Sequence, residues 1–204
     1  MTTLWLIRHG QTDWNTEQRF QGTSDQPLNA TGETQAASLA PRLQAMHFDG
    51  IYCSDLIRVK RTADLALAGN TDTVTYDARL QEFNFGAWEG MSWDEARQHN
   101  AVEFAKWVDD RNYNPHGGET IDDMVQRLDA FLVDIDDKHA PDEHLLLFAH
   151  GGTLATLVCM LLGTDPKKWW QYRFLNCTLN EVIRIKRGAI LARLNDMTHL
   201  PPVI

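Results

Sequence analysis

Short apolar runs alternate along the chain with segments of helical periodicity. Such runs of three to five residues, when they stop at turn-forming residues, indicate strands that are buried on both faces of a sheet. Four of them have the length of strands: residues 4–7, 50–53, 74–76 and 145–149. Two longer apolar or alternating segments, 179–185 and 189–194, flank a Lys-Arg-Gly turn and predict a hairpin at the sheet margin.

The segments between these runs predict helices. A stripe over residues 36–46 is interrupted by Pro41, which predicts a kink or a late helix start there. Ser54 is expected to be the N-cap of a further helix, and a long helix is expected to begin at Thr120. Residues 92–95 form a capping box that opens a short helix.

This alternation predicts an α/β fold, with a mostly parallel central sheet in a three-layer α/β/α sandwich. An apolar helix over residues 153–162 directly follows the strand at 145–149, as the layered arrangement requires. Residues 86–118 depart from the alternation, with two short helices, several aromatic residues and no clear strand. We interpret them as a small helical cap insertion within a single domain spanning residues 1–204.

Composition and charge restrict the possible partners. The 19 Lys and Arg residues against 28 Asp and Glu give a net charge of -9, which disfavours a broad surface for nucleic acid or anionic membranes. A small local basic pocket is compatible with that charge. The chain has no apolar run of about 18 residues and no secretory-type N-terminus, so we expect a cytoplasmic protein that binds no membrane.

Neither a metal ion nor another cofactor is expected from the sequence. The eight histidines form no HExxH or HxH pair. The three cysteines lie far apart with no CxxC pair, which suggests neither a zinc site nor a disulfide framework. A reducing compartment fits this cysteine usage best.

Two histidines stand in the same sequence context. His9 and His150 each follow a buried-strand pattern and precede a glycine, at the carboxyl ends of two strands, where open α/β sheets bind ligands. Each alone could be a core or helix-capping histidine; together they favour a functional site. Arg8 adjoins His9, and Arg58 lies one turn into the helix that follows strand 50–53, so both guanidiniums could bind a planar anion at that edge.

A candidate general acid lies in the aromatic-rich segment 80–90. Glu82 in this segment could be partly desolvated, which would raise the pKa of its carboxyl group, as general acids require. An exposed loop glutamate is the alternative that spacing alone leaves open.

These residues stand in blocks that resemble the histidine phosphatase superfamily, the phosphoglycerate-mutase-like proteins. The Arg-His-Gly signature opens the first block, and the others follow in the order of that family. The blocks cover residues 8–15, 21–22, 27–28, 53–63, 80–90, 117–120 and 149–152. One local departure is Ser54-Asp55-Leu56 in place of the usual Ser-Pro-Leu.

The resemblance implies a role for each matching residue. His9 would be the nucleophile that becomes phosphohistidine, and Glu82 the proton donor to the leaving group. The phosphoryl group would be bound by Arg8, Asn15, Gln21, Gly22, Arg58, His150 and Gly151. We expect a protonated His150 to neutralise phosphoryl charge together with the two arginines, and a backbone carbonyl to hold the ring nitrogen of His9 that does not attack.

Three functions remain open at this point: a metal-independent phosphomonoesterase, a cofactor-dependent phosphoglycerate mutase, and an inactive phospholigand-binding module. Mutases of the family are longer and carry a basic insertion, whereas residues 89–118 hold three basic against six acidic side chains. The phosphatase is therefore favoured. The chemical set of Arg8, His9, Arg58, Glu82 and His150 is complete, which disfavours an inactive module.

The substrate is expected to be a small phosphorylated metabolite. Aromatic residues in the cap and C-terminal region favour an apolar or aromatic leaving group. The motifs most resemble the α-ribazole phosphatase branch, and broad-specificity and phosphoserine-type phosphatases share much of the pattern. His116 is a candidate substrate contact, His199 could contact Asn195 or shield the sheet end, and the C-terminal hairpin could support a homodimer.

Overall fold

The computed structural model describes residues 2–114 and 117–201. A six-stranded sheet forms its centre, with strand order β3-β2-β4-β1-β5-β6. The strands are β1 (Thr3–Arg8), β2 (Gly50–Cys53), β3 (Val74–Tyr76), β4 (His144–Ala149), β5 (Leu179–Ile185) and β6 (Gly188–Asp196). The first four strands pair in parallel, whereas β1–β5 and β5–β6 are antiparallel. The predicted mostly parallel sheet with a marginal hairpin is confirmed.

Eight α-helices and three short 3-10 helices connect the strands within the described residues. The α-helices are α1 (Asp13–Thr16), α2 (Ala30–Ser38), α3 (Ala40–Gln44), α4 (Ile57–Ala66), α5 (Trp93–His99), α6 (Ala101–Asp109), α7 (Ile121–Lys138) and α8 (Gly151–Leu162). The 3-10 helices span Ala78–Leu80, Gly86–Trp88 and Pro166–Gln171.

The sheet separates two apolar cores. Alternate residues of a strand point to opposite faces, so Leu4 and Leu6 pack on the same side as the buried faces of α7 and α8, and Ile7 packs with α2, α3 and α4. In β4, Leu147 joins the first core and Phe148 the second. The predicted three-layer α/β/α fold is confirmed.

Pro41 and Ser54 show how local signals fared. Pro41 lies in the first turn of α3, and the predicted interruption divides the stripe into α2 and α3 at Leu39. The prediction that Ser54 caps α4 was wrong, because Leu56 occupies the N-cap position without a side-chain hydrogen bond. The Ser54 hydroxyl is used instead by a histidine of the candidate site, as described below.

The cap contributes an aromatic cluster to the first core. Trp88, Phe104 and Trp107 are nearly fully buried, and their rings pack against Phe20 and one another. The capping box at Ser92 forms as predicted. Most cap aromatics therefore hold the insertion on the sheet domain rather than contact a ligand.

The described residues contain neither a disulfide nor a membrane-spanning helix. Cys53, Cys159 and Cys177 are all buried and free. Within residues 2–114 and 117–201, no helix is long and apolar enough to cross a membrane.

Candidate active site

Three adjacent parallel strands end at the same level and bring the predicted site residues together. Arg8 of β1 pairs with Ala149 of β4, and Phe148 of β4 pairs with Cys53 of β2. The residues that follow these strand ends are therefore neighbours. The chain places His9, Ser54 and His150 at these three positions.

The ring of His9 is held by a backbone carbonyl and by its buried, cationic surroundings. Its Nδ1 lies 2.7 Å from the carbonyl oxygen of Gly10. Because a carbonyl oxygen only accepts, Nδ1 carries the proton and Nε2 keeps a free lone pair. Burial, followed by the charges of Arg58 and Arg8, lowers the pKa of His9 well below its usual value. The expected backbone carbonyl is confirmed, and it belongs to Gly10.

His150 differs from the expectation of a protonated imidazole. Burial, followed by the positive charge of Arg58, lowers the pKa of His150 well below its usual value, so the free site holds the neutral ring. Its Nε2 lies 2.9 Å from the Ser54 hydroxyl, and its Nδ1 is buried without a hydrogen-bond partner in the described chain. A serine hydroxyl that donates to Nε2 leaves the proton on Nδ1. His150 can then donate to an anion while uncharged.

Two arginines supply the positive charge. Arg8 is anchored by a 2.8 Å hydrogen bond to the carbonyl of Phe174, and Arg58 by bonds of 2.7 and 2.8 Å to the carbonyls of Gly22 and Ser24. The Nε atoms of both arginines are buried and have no partner within the described residues. Burial lowers the pKa of Arg58 to about 10, so it stays charged at neutral pH.

The loop at residues 22–24, before α2, holds Arg58 through its backbone carbonyls, and Glu89 holds this loop in turn. Glu89 accepts hydrogen bonds from the backbone N–H groups of Thr23 and Ser24, at 2.9 and 2.8 Å. Gly22 has φ of +52°, and a Cβ there would lie 1.9 Å from Oε1 of Glu89, so only glycine fits. The carbonyl of Gly22 thus holds Arg58 in place, and this role requires no direct contact between Gly22 and a bound anion.

Asn15 and Gln21 line the same cavity. The side-chain oxygen of Asn15 accepts hydrogen bonds from the N–H of Thr12 and from Asn176 Nδ2. Its amide nitrogen has no hydrogen bond within the described chain and is the group that can donate to a ligand. Gln21 is buried, and its Oε1 has no partner among the described residues.

Glu82 is held at the N-terminus of α8. Its Oε1 accepts from the N–H groups of Phe83 and Thr153 at 2.9 and 3.0 Å, and its Oε2 accepts from the N–H of Gly152 at 2.9 Å. The Thr153 hydroxyl lies 3.2 Å from Oε1. The sequence predicted an aromatic environment, which Phe85 supplies on one side of the cavity. The hydrogen bonds from α8 were not foreseen.

Two neighbouring cavities share Arg8 and Glu82 in their walls. The smaller, of about 150 Å³, collects seven of the predicted residues: Arg8, His9, Asn15, Gln21, Gly22, Arg58 and Glu82. The larger, of about 290 Å³, extends past Gly151 and Gly152 to a wall formed by residues 169–174. The ring centroids of His9 and His150 are 5.2 Å apart, which completes the predicted set.

Comparisons with known proteins agree with this geometry. The model of the histidine phosphatase superfamily, branch 1, matches residues 4–197, nearly the whole chain. The chain belongs to this superfamily. Its Arg-His-Gly motif, second histidine and glutamate thus occupy one site in a histidine phosphatase fold.

Relatives of this histidine phosphatase carry more than one name. It is 31% identical to phosphoserine phosphatase 1 of Hydrogenobacter thermophilus, over 98% of this chain and 95% of that protein. It is 32% identical to the "probable phosphoglycerate mutase GpmB" of Escherichia coli, with the same coverages. The crystal structure of the α-ribazole phosphatase from Shigella flexneri superposes with a TM-score of 0.86 at 29% identity, covering 99% of each chain.

His199, which the sequence analysis also named, makes its hydrogen bonds away from the candidate site. His199 Nε2 is 2.7 Å from the carbonyl of Cys177, and its Nδ1 is 3.4 Å from Arg42. Asn195 makes its hydrogen bonds with other groups, so the expected contact between His199 and Asn195 is not among the hydrogen bonds of the described residues. His116 lies outside the described residues.

Three supporting residues of the histidine phosphatase site escaped the sequence analysis. Ser54 was interpreted as a helix cap, Glu89 was counted only as an acidic residue of the cap, and Asn176 was not considered. Asn176 Nδ2 donates to the carbonyl of His9 at 2.8 Å and lies 3.3 Å from the side-chain oxygen of Asn15. All three act across long sequence separations that no local pattern signals. In the described part of the chain, no group of three or more His, Cys, Asp or Glu is arranged to hold a metal ion.

Proposed function

We propose that this histidine phosphatase is a metal-independent phosphomonoesterase that forms a phosphohistidine on Nε2 of His9. The hydrogen bond between His9 Nδ1 and the Gly10 carbonyl, which leaves the lone pair of Nε2 available, is the observation that carries the proposal most directly. The donors around it, Arg8 Nε, Arg58 Nε and His150 Nδ1, are buried without partners in the described chain. Buried donors of this kind are normally satisfied, and phosphoryl oxygens would satisfy them.

The first half-reaction forms the phosphoenzyme. The lone pair of His9 Nε2 attacks phosphorus, and the bond from phosphorus to the ester oxygen breaks. The step requires a proton on Glu82, which Glu82 gives to the departing oxygen. Arg8, Arg58 and His150 stabilise the equatorial oxygens, where charge is spread in the transition state.

The second half-reaction hydrolyses the phosphohistidine and regenerates the free enzyme. A water oxygen attacks phosphorus while the bond to Nε2 breaks, and Glu82 accepts the water proton. The products are orthophosphate and neutral His9 with its lone pair restored. Glu82 is again protonated, so the cycle balances, and general acid–base catalysis of this kind contributes about 10² to 10⁴ in rate.

The cap supports a phosphatase over a mutase. Two of its three cations are paired with carboxylates, Arg97 with Asp94 at 2.9 Å and Lys106 with Glu103 at 3.1 Å. The third, Arg111, is stacked 3.7 Å over the Trp107 ring, and its Nε and Nη1 have no hydrogen-bond partner within the described residues. A bisphosphorylated cofactor would need free cations there. The mutase remains the second candidate, because the GpmB relative is as similar to this chain as the phosphoserine phosphatase is.

The test separates hydrolysis from transfer. Purified protein should release phosphate from p-nitrophenyl phosphate in EDTA, with inhibition by vanadate. With 3-phosphoglycerate as acceptor, phosphate should still go to water. A strict need for a divalent metal would contradict the mechanism, and faster transfer to 3-phosphoglycerate than to water would establish the mutase instead.

The names of the relatives suggest where to look for the substrate. We propose a small metabolite phosphomonoester, with α-ribazole phosphate and phosphoserine as the first candidates. A screen that compares kcat/KM over both esters, phosphoglycerates and sugar phosphates tests this. A preference of about a hundredfold for one ester would identify the branch, and equal values for all would contradict a dedicated metabolic substrate.

A further inference from the structure

The cavity of about 290 Å³ lies where the leaving group of a substrate would have to lie. It shares Arg8 and Glu82 with the phosphoryl cavity, so a substrate whose ester oxygen faces Glu82 extends into it. A third cavity, about 370 Å³, shares only Glu82 with the phosphoryl cavity. Its carboxylates Glu119 and Asp123 are held by Arg127 and Thr120. The cavity reaching residues 169–174 is thus the better continuation of the site.

One charged side chain on the wall of this cavity is not neutralised. Arg173 lies between Tyr172 and Phe174 and is exposed. No carboxylate of the described residues forms an ion pair with it, unlike Arg19, Arg42, Arg61 and Arg79. The positive charge of Arg173 acts on Arg8 in the phosphoryl cavity and helps to lower the pKa of Arg8, although burial is the main cause of that lowering.

The surroundings of Arg173 are aromatic. Trp169, Trp170 and Tyr172 line the same cavity, and Trp170 keeps 59% of its surface exposed. An exposed tryptophan beside an unpaired guanidinium offers an apolar surface next to one anion-binding group. Since Arg8 already faces the phosphoryl group, the cavity provides one further positive charge, which matches a single carboxylate.

On the basis of the proposed function, we propose that Arg173 selects phosphomonoesters whose leaving group carries a carboxylate. The carboxylate binds Arg173, the stem of the leaving group packs on Trp170, and the ester oxygen lies at Glu82. Charge-assisted hydrogen bonds between guanidinium and carboxylate are among the stronger polar contacts. The ester with the carboxylate should therefore be hydrolysed with a kcat/KM about tenfold or more above that of its counterpart.

Pairs of esters that differ in the carboxylate test this. Suitable pairs are phosphoserine with phosphoethanolamine, 3-phosphoglycerate with glycerol phosphate, and 4-carboxyphenyl phosphate with phenyl phosphate. The wild-type enzyme should prefer the carboxylate in each pair that it hydrolyses. In Arg173→Gln this ratio should fall to about one, and Arg173→Lys should keep part of it.

Arg187→Gln is the matched control. It removes the same charge from the exposed turn between β5 and β6, at the end of β5 that pairs with Thr3, opposite the site. The ratios of Arg187→Gln and its rate on p-nitrophenyl phosphate should equal those of the wild type. A wild-type ratio near one, or a ratio that survives Arg173→Gln, overturns the inference. If the wild-type enzyme does not hydrolyse p-nitrophenyl phosphate, that result contradicts the proposed function instead.

Discussion

Each histidine of the site has one ring nitrogen fixed and one available. Gly10 fixes Nδ1 of His9, and Ser54 contacts Nε2 of His150. The two rings therefore present opposite functions to a phosphoryl group, a lone pair from His9 and an N–H from His150. Both functions need the neutral ring, which burial and the nearby arginines favour.

The protonation states can be measured directly. Because the pKa values of His9 and His150 are lowered well below 6.5, both rings should stay neutral at pH 6. Nitrogen-15 NMR of the imidazoles should show a protonated Nδ1 in both, with spectra unchanged from pH 8 to pH 6. A titration of either ring with a midpoint near 6.5 would contradict this.

Ser54 should matter for rate although it lies outside the family's phosphate-binding set. Ser54→Ala removes the one hydrogen bond that Nε2 of His150 makes within the described residues, so the proton can shift away from Nδ1. An unsatisfied buried group costs about 1–3 kcal/mol, and kcat/KM should fall by about tenfold or more. Ser54→Thr, which keeps the hydroxyl, should recover most of the rate if it folds. A wild-type rate for the alanine variant would remove Ser54 from the mechanism.

At the level of elements, α8 organises the site. His150 is its N-cap, and the N–H groups of its first turn hold the carboxylate of Glu82. Gly152 lets that carboxylate approach, because a Cβ there would lie 2.6 Å from Oε1 of Glu82. A single helix terminus therefore positions both the second histidine and Glu82, the proposed proton donor.

Gly152→Ala should displace Glu82 and damage proton donation selectively. Alkyl phosphates, whose leaving groups need a proton, should lose about tenfold or more in kcat, whereas p-nitrophenyl phosphate should lose much less. Glu82→Gln should show the same dependence on the leaving group, which makes it the matched comparison. Equal losses on both ester types would show that Gly152 acts on something other than Glu82.

The elements were the part of the structure that the sequence predicted best. Strand ends at Arg8 and Ala149 follow from apolar runs that stop at glycine-containing turns, and parallel pairing then brings His9 and His150 together. Ser54 was misassigned because its N-cap pattern is local, whereas its hydrogen bond spans the 96 residues to His150. Arg173 lies in no motif, and Glu89 lies in the 80–90 block without a role assigned to it, since the importance of both residues depends on what folding places beside them.

At the scale of the whole molecule, the site couples stability to pH. Below about pH 6.5 the unfolded chain binds protons at His9 and His150, which the folded protein does not. The unfolded state then binds more protons, so the free energy of unfolding must fall as pH falls. The loss begins near pH 6.5 and continues until the folded-state pKa values are reached.

Urea denaturation at pH 7.5 and 5.5 measures this coupling. Each histidine should contribute a loss of about 1.4 kcal/mol between these two pH values. In His150→Gln, the loss of unfolding free energy that comes from His9 and His150 should be about half that of the wild type, because this variant retains only His9. Equal stability at the two pH values would mean that the histidines titrate in the folded protein as they do in the unfolded chain.

The phosphoenzyme itself is the most direct measurement. Rapid acid-free quenching with ³²P-labelled substrate should trap an acid-labile phosphoenzyme in the wild type, and phosphorus NMR should assign the phosphoryl group to Nε2 of His9, because Nδ1 is bound to Gly10. His9→Ala should form none. Phosphoenzyme in that variant, or an acid-stable adduct in the wild type, would contradict His9 as the nucleophile.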